Sequence, residues 1–167
     1  MSTRYLDFAE AKRFALDLLQ LMKRNVERDG HLAPVAFVIA THDPETGRPL
    51  DGPRTILLAL DFSTALAKEE SVLEVRDAAK RSQALMVLTG AQCSTAMVGP
   101  SVPAGERSEA ILLMLEHRRG HCSWLAPITW RAPRRPSVGE AELLDGEPLG
   151  GDFGDFLPRI PGGTALH

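Results

Sequence analysis

The chain of 167 residues has few of the residues that usually mark a chemical site, with two cysteines, one tyrosine and a single asparagine. Two cysteines are too few for a disulfide scaffold, so we interpret Cys93 and Cys122 as reduced thiols carried on strands. No apolar run approaches the roughly 18 residues that a membrane-spanning helix needs. Residues 1–12 are charged and lack the continuous apolar stretch of a secretory signal. We therefore expect a soluble, cytoplasmic protein without membrane contact.

Strong charge of one sign is also missing, because 19 basic residues face 22 acidic ones and the net charge is −3. This balance argues against indiscriminate binding to a phosphate backbone. The basic residues concentrate only at Arg118 and Arg119, and at Arg131, Arg134 and Arg135. Aromatic residues make up 5% of the chain and offer little surface for base stacking. We interpret the arginines as solvated charges and do not expect a nucleic-acid partner.

Two stretches have the three- and four-residue spacing of amphipathic helices. The first follows Asp7, which fits an N-cap, or begins a few residues earlier, and it ends at Gly30. The second is capped by Ser63 or Thr64 and runs to about Ser82. The residues predicted to form its inner stripe are Leu66, Val72, Leu73, Arg76 and Ala79.

Apolar and β-branched runs between turn-forming residues predict five strands. The predicted strands span residues 35–41, 54–60, 84–91, 109–117 and 121–131. With the two helices the order is α-β-β-α-β-β-β, and short turns between neighbouring strands favour antiparallel pairing. The sequence therefore predicts an α+β fold with a largely antiparallel sheet of about five strands and two helices.

Composition changes after residue 131, since residues 132–167 include five prolines and seven glycines. We predict a single α+β domain over residues 1–131, followed by an extended, partly ordered, Pro/Gly-rich tail over 132–167. The apolar residues that could anchor this tail to the domain are Phe153, Phe156, Leu157 and Ile160.

Most of the predicted strands are apolar on both alternating faces, so each face of the sheet must be covered. Either each helix covers one face, or both helices lie on one face and the tail or a partner covers the other. Because a large bare apolar face does not stay exposed in a soluble monomer, we expect self-association as a homodimer or contact with another protein.

His117 and His121 flank the turn formed by residues 118–120 and are the candidate metal ligands. A three-residue connection would set the two imidazoles opposite each other on one face, where they could bind zinc or nickel. Glu116 and Cys122 have the opposite strand parity and would face the other way. Two ligands are fewer than a zinc site needs. The alternative interpretation is a pair of hydrated histidines at a hairpin tip.

Other candidate sites have weaker patterns. His42, Asp43, Glu45 and Asp51 could hold a divalent cation, but their spacing matches no calcium-binding loop and suits an ordinary turn. Cys93 could act as a nucleophile if a histidine lay beside it. The sequence has no serine-nucleophile elbow and no phosphate-binding loop.

These observations favour a non-catalytic interaction or assembly module that acts as a homodimer or as a subunit of a complex, without a cofactor. One alternative is a metal-assisted, hydrolase-like enzyme that uses His117 and His121. Another is a small-ligand sensor in which the loop of residues 94–108 covers an apolar pocket.

Overall fold

The computed structural model describes residues 7–94, 109–131, 135–144 and 156–157. In this part of the chain there are two helices and seven strands. The helices are α1 (Phe8–Asp29) and α2 (Ala65–Arg81). The strands are β1 (Val35–His42), β2 (Pro49–Ala59), β3 (Met86–Ser94), β4 (Glu109–His117), β5 (Gly120–Arg131), β6 (Arg135–Val138) and β7 (Glu142–Leu144).

All the strands belong to one antiparallel sheet with the order β2-β1-β3-β4-β5-β6. The short strand β7 also pairs with β5, next to β6 and along the same edge. The predicted α+β fold and the predicted order of its elements are confirmed. The sheet also continues past residue 131, because β6 and β7 lie within the segment that the sequence indicated as tail.

The ends of the helices follow the predicted capping residues. The Asp7 carboxylate accepts a hydrogen bond from the Ala9 backbone N–H at 2.7 Å and starts α1. Gly30 ends α1 in the left-handed conformation, with a φ of 81°. The Thr64 hydroxyl accepts from the Ala67 N–H at 3.0 Å and caps α2.

The two helices cover opposite faces of the sheet, as the first of the two predicted arrangements requires. We call the side under α1 the first face and the side under α2 the second face. The buried residues of α1 are Ala11, Ala15, Leu18, Leu19, Met22 and Val26. They pack against first-face residues of five strands, including Ile39, Met86, Leu88, Ile111, Leu113, Leu115, Trp124, Ala126, Ile128 and Val138. On the second face α2 lies over β1, where it packs against Ala36 and Val38.

The inner stripe of α2 agrees with the predicted one at Val72 and Ala79 and differs at the other three predicted positions. Leu66 and Leu73 are 66% and 56% exposed, and Arg76 is exposed as well. The residues of α2 that are buried are Ser71, Val72, Val75 and Ala79. These small side chains let the helix approach the sheet, and the Ser71 hydroxyl accepts a hydrogen bond from the Asp61 N–H at 2.9 Å. The two leucines lie two turns apart on the outward side of the helix.

On the second face, α2 does not cover the strands at the far side of the sheet. Phe156 and Leu157 pack beside α2 and are almost fully buried. The predicted anchoring of the tail by these two residues is confirmed, whereas residues 153 and 160 lie outside the described residues. Further across, Leu112, Met114 and Leu125 are half-buried on the same face.

Gly90 on β3 determines how closely α1 approaches the first face. A Cβ atom at this position would overlap the Met22 thioether, so the missing side chain leaves the space that Met22 fills. Met22 is 3% exposed, while its neighbour Leu21 is 48% exposed.

We expect Met22→Ala to destabilise the protein by about 2–5 kcal/mol, because it leaves a cavity between α1 and β3. Leu21→Ala on the same helix should cost less than about 1 kcal/mol. Urea unfolding followed by circular dichroism measures both. Equal losses in the two variants would contradict the position of α1 on the sheet.

Candidate functional site

The hairpin between β4 and β5 is one residue tighter than the sequence predicted. His117 pairs with Gly120, and Glu116 pairs with His121, so the loop contains only residues 118–119. A change of register by one residue moves a side chain to the other face of a sheet. The prediction that His117 and His121 face each other is therefore wrong. His117 lies on the first face and His121 on the second.

His117 is buried at the end of the first face, where it packs against another ring. Its side chain is 6% exposed, and its ring centroid lies 5.6 Å from that of Phe8. The Nδ1 atom accepts a hydrogen bond from the Arg119 backbone N–H at 3.1 Å. Because this bond uses the Nδ1 lone pair, His117 helps to close the hairpin loop, and that atom is not available to a metal ion.

His121 is exposed on the second face, where Glu116 of β4 is its direct neighbour across the strands. The described residues contain no group of three or more His, Cys, Asp or Glu side chains placed to hold a metal ion. The carboxylate of Glu116, the residue opposite His121, accepts hydrogen bonds from two backbone amides of the tail.

These amides belong to Phe156 and Leu157. The sequence did not predict that Glu116 would bind this segment. Glu116 accepts from the Phe156 N–H at 3.0 Å and from the Leu157 N–H at 2.9 Å. The partners are about forty residues apart, and no local spacing could reveal them. The apolar Phe156-Leu157 pair in a Pro/Gly-rich segment was the only available signal.

The acidic loop between β1 and β2 forms an ordinary turn. The Asp43 carboxylate accepts hydrogen bonds from the N–H groups of Glu45 and Thr46 at 2.8 and 3.1 Å. These two bonds hold the pKa of the Asp43 carboxyl below its usual range. The His42 ring bonds the neighbouring threonine hydroxyl at 2.8 Å, and Asp51 is exposed on β2. The turn interpretation explains the positions of these polar groups.

The two cysteines lie far apart. Cys93 pairs with Ala110 on the second face, while Cys122 pairs with Leu115 on the first face, five positions further along the strands. Both are free thiols, and burial raises the pKa of each. A raised thiol pKa leaves less thiolate at neutral pH, which weakens the case for Cys93 as a nucleophile.

The two arginines of the hairpin loop, Arg118 and Arg119, differ in their contacts. Arg118 donates hydrogen bonds to the carbonyl oxygens of Ala84 at 3.1 Å and Gln83 at 2.9 Å, and so ties the hairpin to the start of β3. Arg119 is exposed. Residue 134 and, of the proposed lid of residues 94–108, all but Ser94 at the end of β3 lie outside the described residues.

The outer edge of β2 ends the sheet, and no other strand among the described residues pairs with it. The Leu60 N–H donates to the Pro34 carbonyl at 3.0 Å, and antiparallel pairs alternate between bonded and non-bonded residues. It follows that the main-chain groups of Thr55, Leu57 and Ala59 point away from β1. Their side chains lie on the first face, where Leu57 is 62% exposed.

The two edges of the sheet differ in how well they are protected. At the β5 side, the edge consists of two strands of four and three residues, and β6 contains Pro136. At the β2 side, Pro49 and Pro53 protect the beginning of the strand. Short strands and prolines discourage edge-to-edge pairing, but residues 54–59 have neither protection. This stretch is the candidate interface.

We expect zinc affinity to be the same for the wild type and for His121→Ala, because His117 and His121 lie on opposite faces. His31→Ala, which removes another exposed histidine, is the matched control. Isothermal titration with zinc measures all three proteins. A loss of affinity confined to His121→Ala would contradict the geometry and restore the metal-ligand hypothesis.

Neither α1 nor α2, the two helices of the described residues, is long and apolar enough to cross a membrane. Comparisons of the whole chain with protein-family models, with curated proteins and with solved structures find no match.

Proposed function

We propose that this protein is a non-catalytic assembly module that forms a homodimer through the exposed edge of β2. The observation that carries the proposal is the unprotected edge of residues 54–59. On the second face α2 is joined by Phe156 and Leu157, so the argument from a wholly bare apolar face does not apply, and the proposal rests on the edge.

The edge is complementary to a second copy of itself. A two-fold axis between the two copies of Leu57 sets Leu57 opposite the partner's Leu57, and Thr55 opposite the partner's Ala59. In this register the outward N–H groups of Thr55, Leu57 and Ala59 each find a carbonyl acceptor, which gives three bonds from each protomer. The exposed Leu57 side chains of the two protomers become neighbours and bury each other.

The charged side chains near the edge do not disfavour this pairing of the two β2 strands. Arg54 would lie opposite the partner's Leu60, and Asp61 opposite the partner's Pro53. No like charges are directly opposed, and Pro53 ends the pairing where its missing N–H is not needed. One protomer's sheet then continues into that of its partner, as it does when an extended segment is added to a sheet edge.

The interface is small, so the dimer should be weak. Burial of a leucine side chain contributes about 1.5–3 kcal/mol, and association costs several kcal/mol or more in lost translational and rotational freedom. We therefore expect weak association, with dissociation at micromolar concentrations or above and a mass in solution that depends on concentration.

Leu57→Lys should keep the protein monomeric, because two ammonium groups would meet at the two-fold axis. Leu66→Lys is the matched control, since Leu66 is exposed to a similar degree and belongs to α2 and not to the edge strand. Light scattering after size-exclusion chromatography, over about 1–500 µM protein, measures the mass of each variant.

The wild type and Leu66→Lys should both change from monomer to dimer over this range. Circular dichroism confirms that each variant is folded. A wild type that stays monomeric, or a Leu57→Lys variant that dimerises like the wild type, would overturn the proposal.

A further inference from the structure

The contact between Glu116 and the tail has the chemistry of a peptide-binding site. One carboxylate accepts two consecutive backbone amides, Oε2 from the Phe156 N–H at 3.0 Å and Oε1 from the Leu157 N–H at 2.9 Å. We call this pair of bonds the Glu116 clamp. A charged acceptor makes such bonds stronger than those between neutral groups. The clamp fixes the direction of the backbone through groups that are present in almost every peptide.

An apolar receptor lies beside the clamp and takes up both side chains. Phe156 and Leu157 are 5% and 7% exposed. They belong to a cluster at the junction of α2 and the second face, whose other buried members are Ala36, Val38, Leu60, Val72, Val75, Ala79, Ala84 and Val87. The clamp and this cluster together select two consecutive apolar residues in an otherwise unspecified peptide.

The dipeptide is attached to the second face without strand pairing. Phe156 and Leu157 belong to no helix or strand, and a side chain of β4 binds their amides. The sheet, both helices and the whole core on the first face are formed by other residues. A segment attached in this way can open locally while the remainder stays folded.

We propose that the Glu116 clamp and its apolar cluster form a docking site for an apolar dipeptide segment, which the chain's own Phe156-Leu157 occupies and a separate peptide of the same type can enter. The partner it fits is a protein that presents two consecutive large apolar residues with free backbone N–H groups. This site goes beyond the proposed dimer, because the Glu116 clamp lies on β4, which is separated from the β2 edge by β1 and β3.

The test uses the full-length chain with Phe156→Ala and Leu157→Ala, which removes both apolar side chains from the cluster and leaves Glu116 in place. The probe is a fluorescent peptide with the sequence of residues 150–162, and its binding is followed by anisotropy. We expect saturable binding to this variant and binding about tenfold or more weaker to the wild type, whose own segment competes. A peptide with alanine at both apolar positions is the control.

Adding Glu116→Gln to the double variant tests the clamp itself. Glutamine has nearly the same shape but presents an NH₂ group to one of the two peptide amides, so the probe should bind much more weakly. Absence of binding to the double variant, or equal binding of the probe and the control peptide, would overturn the proposal.

Hydrogen exchange of the wild type provides a measurement that needs no variant. The amides of Phe156 and Leu157 should exchange about tenfold or more faster than those of Val87 and Leu113 in the sheet, because the segment opens without global unfolding. Equal protection at all four amides would show that the dipeptide leaves its site only when the whole protein unfolds, and would overturn the proposal.

Discussion

A sheet that is apolar on both faces can be stable in water only if both faces are covered, and this constraint organises the whole molecule. The central strands β1 and β3 place Ile39 and Met86 under α1, and Val38 and Val87 under the α2 side. One helix precedes the first hairpin and the other follows it, so each can reach a different face. The tail adds Phe156 and Leu157 to the α2 side, where the helix alone leaves part of the sheet open.

Besides its two faces, the sheet has two edges, and these edges differ in how well they are protected against pairing with another chain. The β5 side ends in two short strands, whereas β2 presents an unprotected stretch with Leu57 exposed. The side chains that the sequence offered as metal ligands, cation ligands or a nucleophile have other surroundings in the structure. His117 is part of the hairpin loop, Asp43 is part of a turn, and burial raises the pKa of Cys93. The role in assembly that we propose rests on the edge of β2.

Local signals in the sequence were sufficient for the elements of the fold. Asp7, Gly30 and Thr64 identify helix ends because capping depends on a few neighbouring atoms. Along β5 the core residues Trp124, Ala126 and Ile128 alternate with residues of the second face, the period expected of a strand. The fold class follows from these elements, because short connections between strands leave few topologies to choose from.

Features that depend on tertiary contacts were not predictable in the same way. The stripe of α2 was predicted only in part, because Val72 and Ala79 are buried as expected, whereas the large Leu66 and Leu73 are exposed and the smaller Ser71 and Val75 are covered. The β4–β5 register depends on whether the loop has two or three residues, and both lengths are common in hairpins. Glu116 and its partners in the tail meet only in the folded chain, so no pattern in the sequence marks them.

The proposed dimer is tested most directly by amide hydrogen exchange along β2 at low and high protein concentration. The amides of Ile56 and Leu58 point toward β1 and should be protected at both concentrations. The amides of Thr55, Leu57 and Ala59 point outward, and they should gain protection only at high concentration, when a second copy pairs with the edge. If these three amides exchange equally fast at every concentration, the edge of β2 is not the interface and the central claim is wrong.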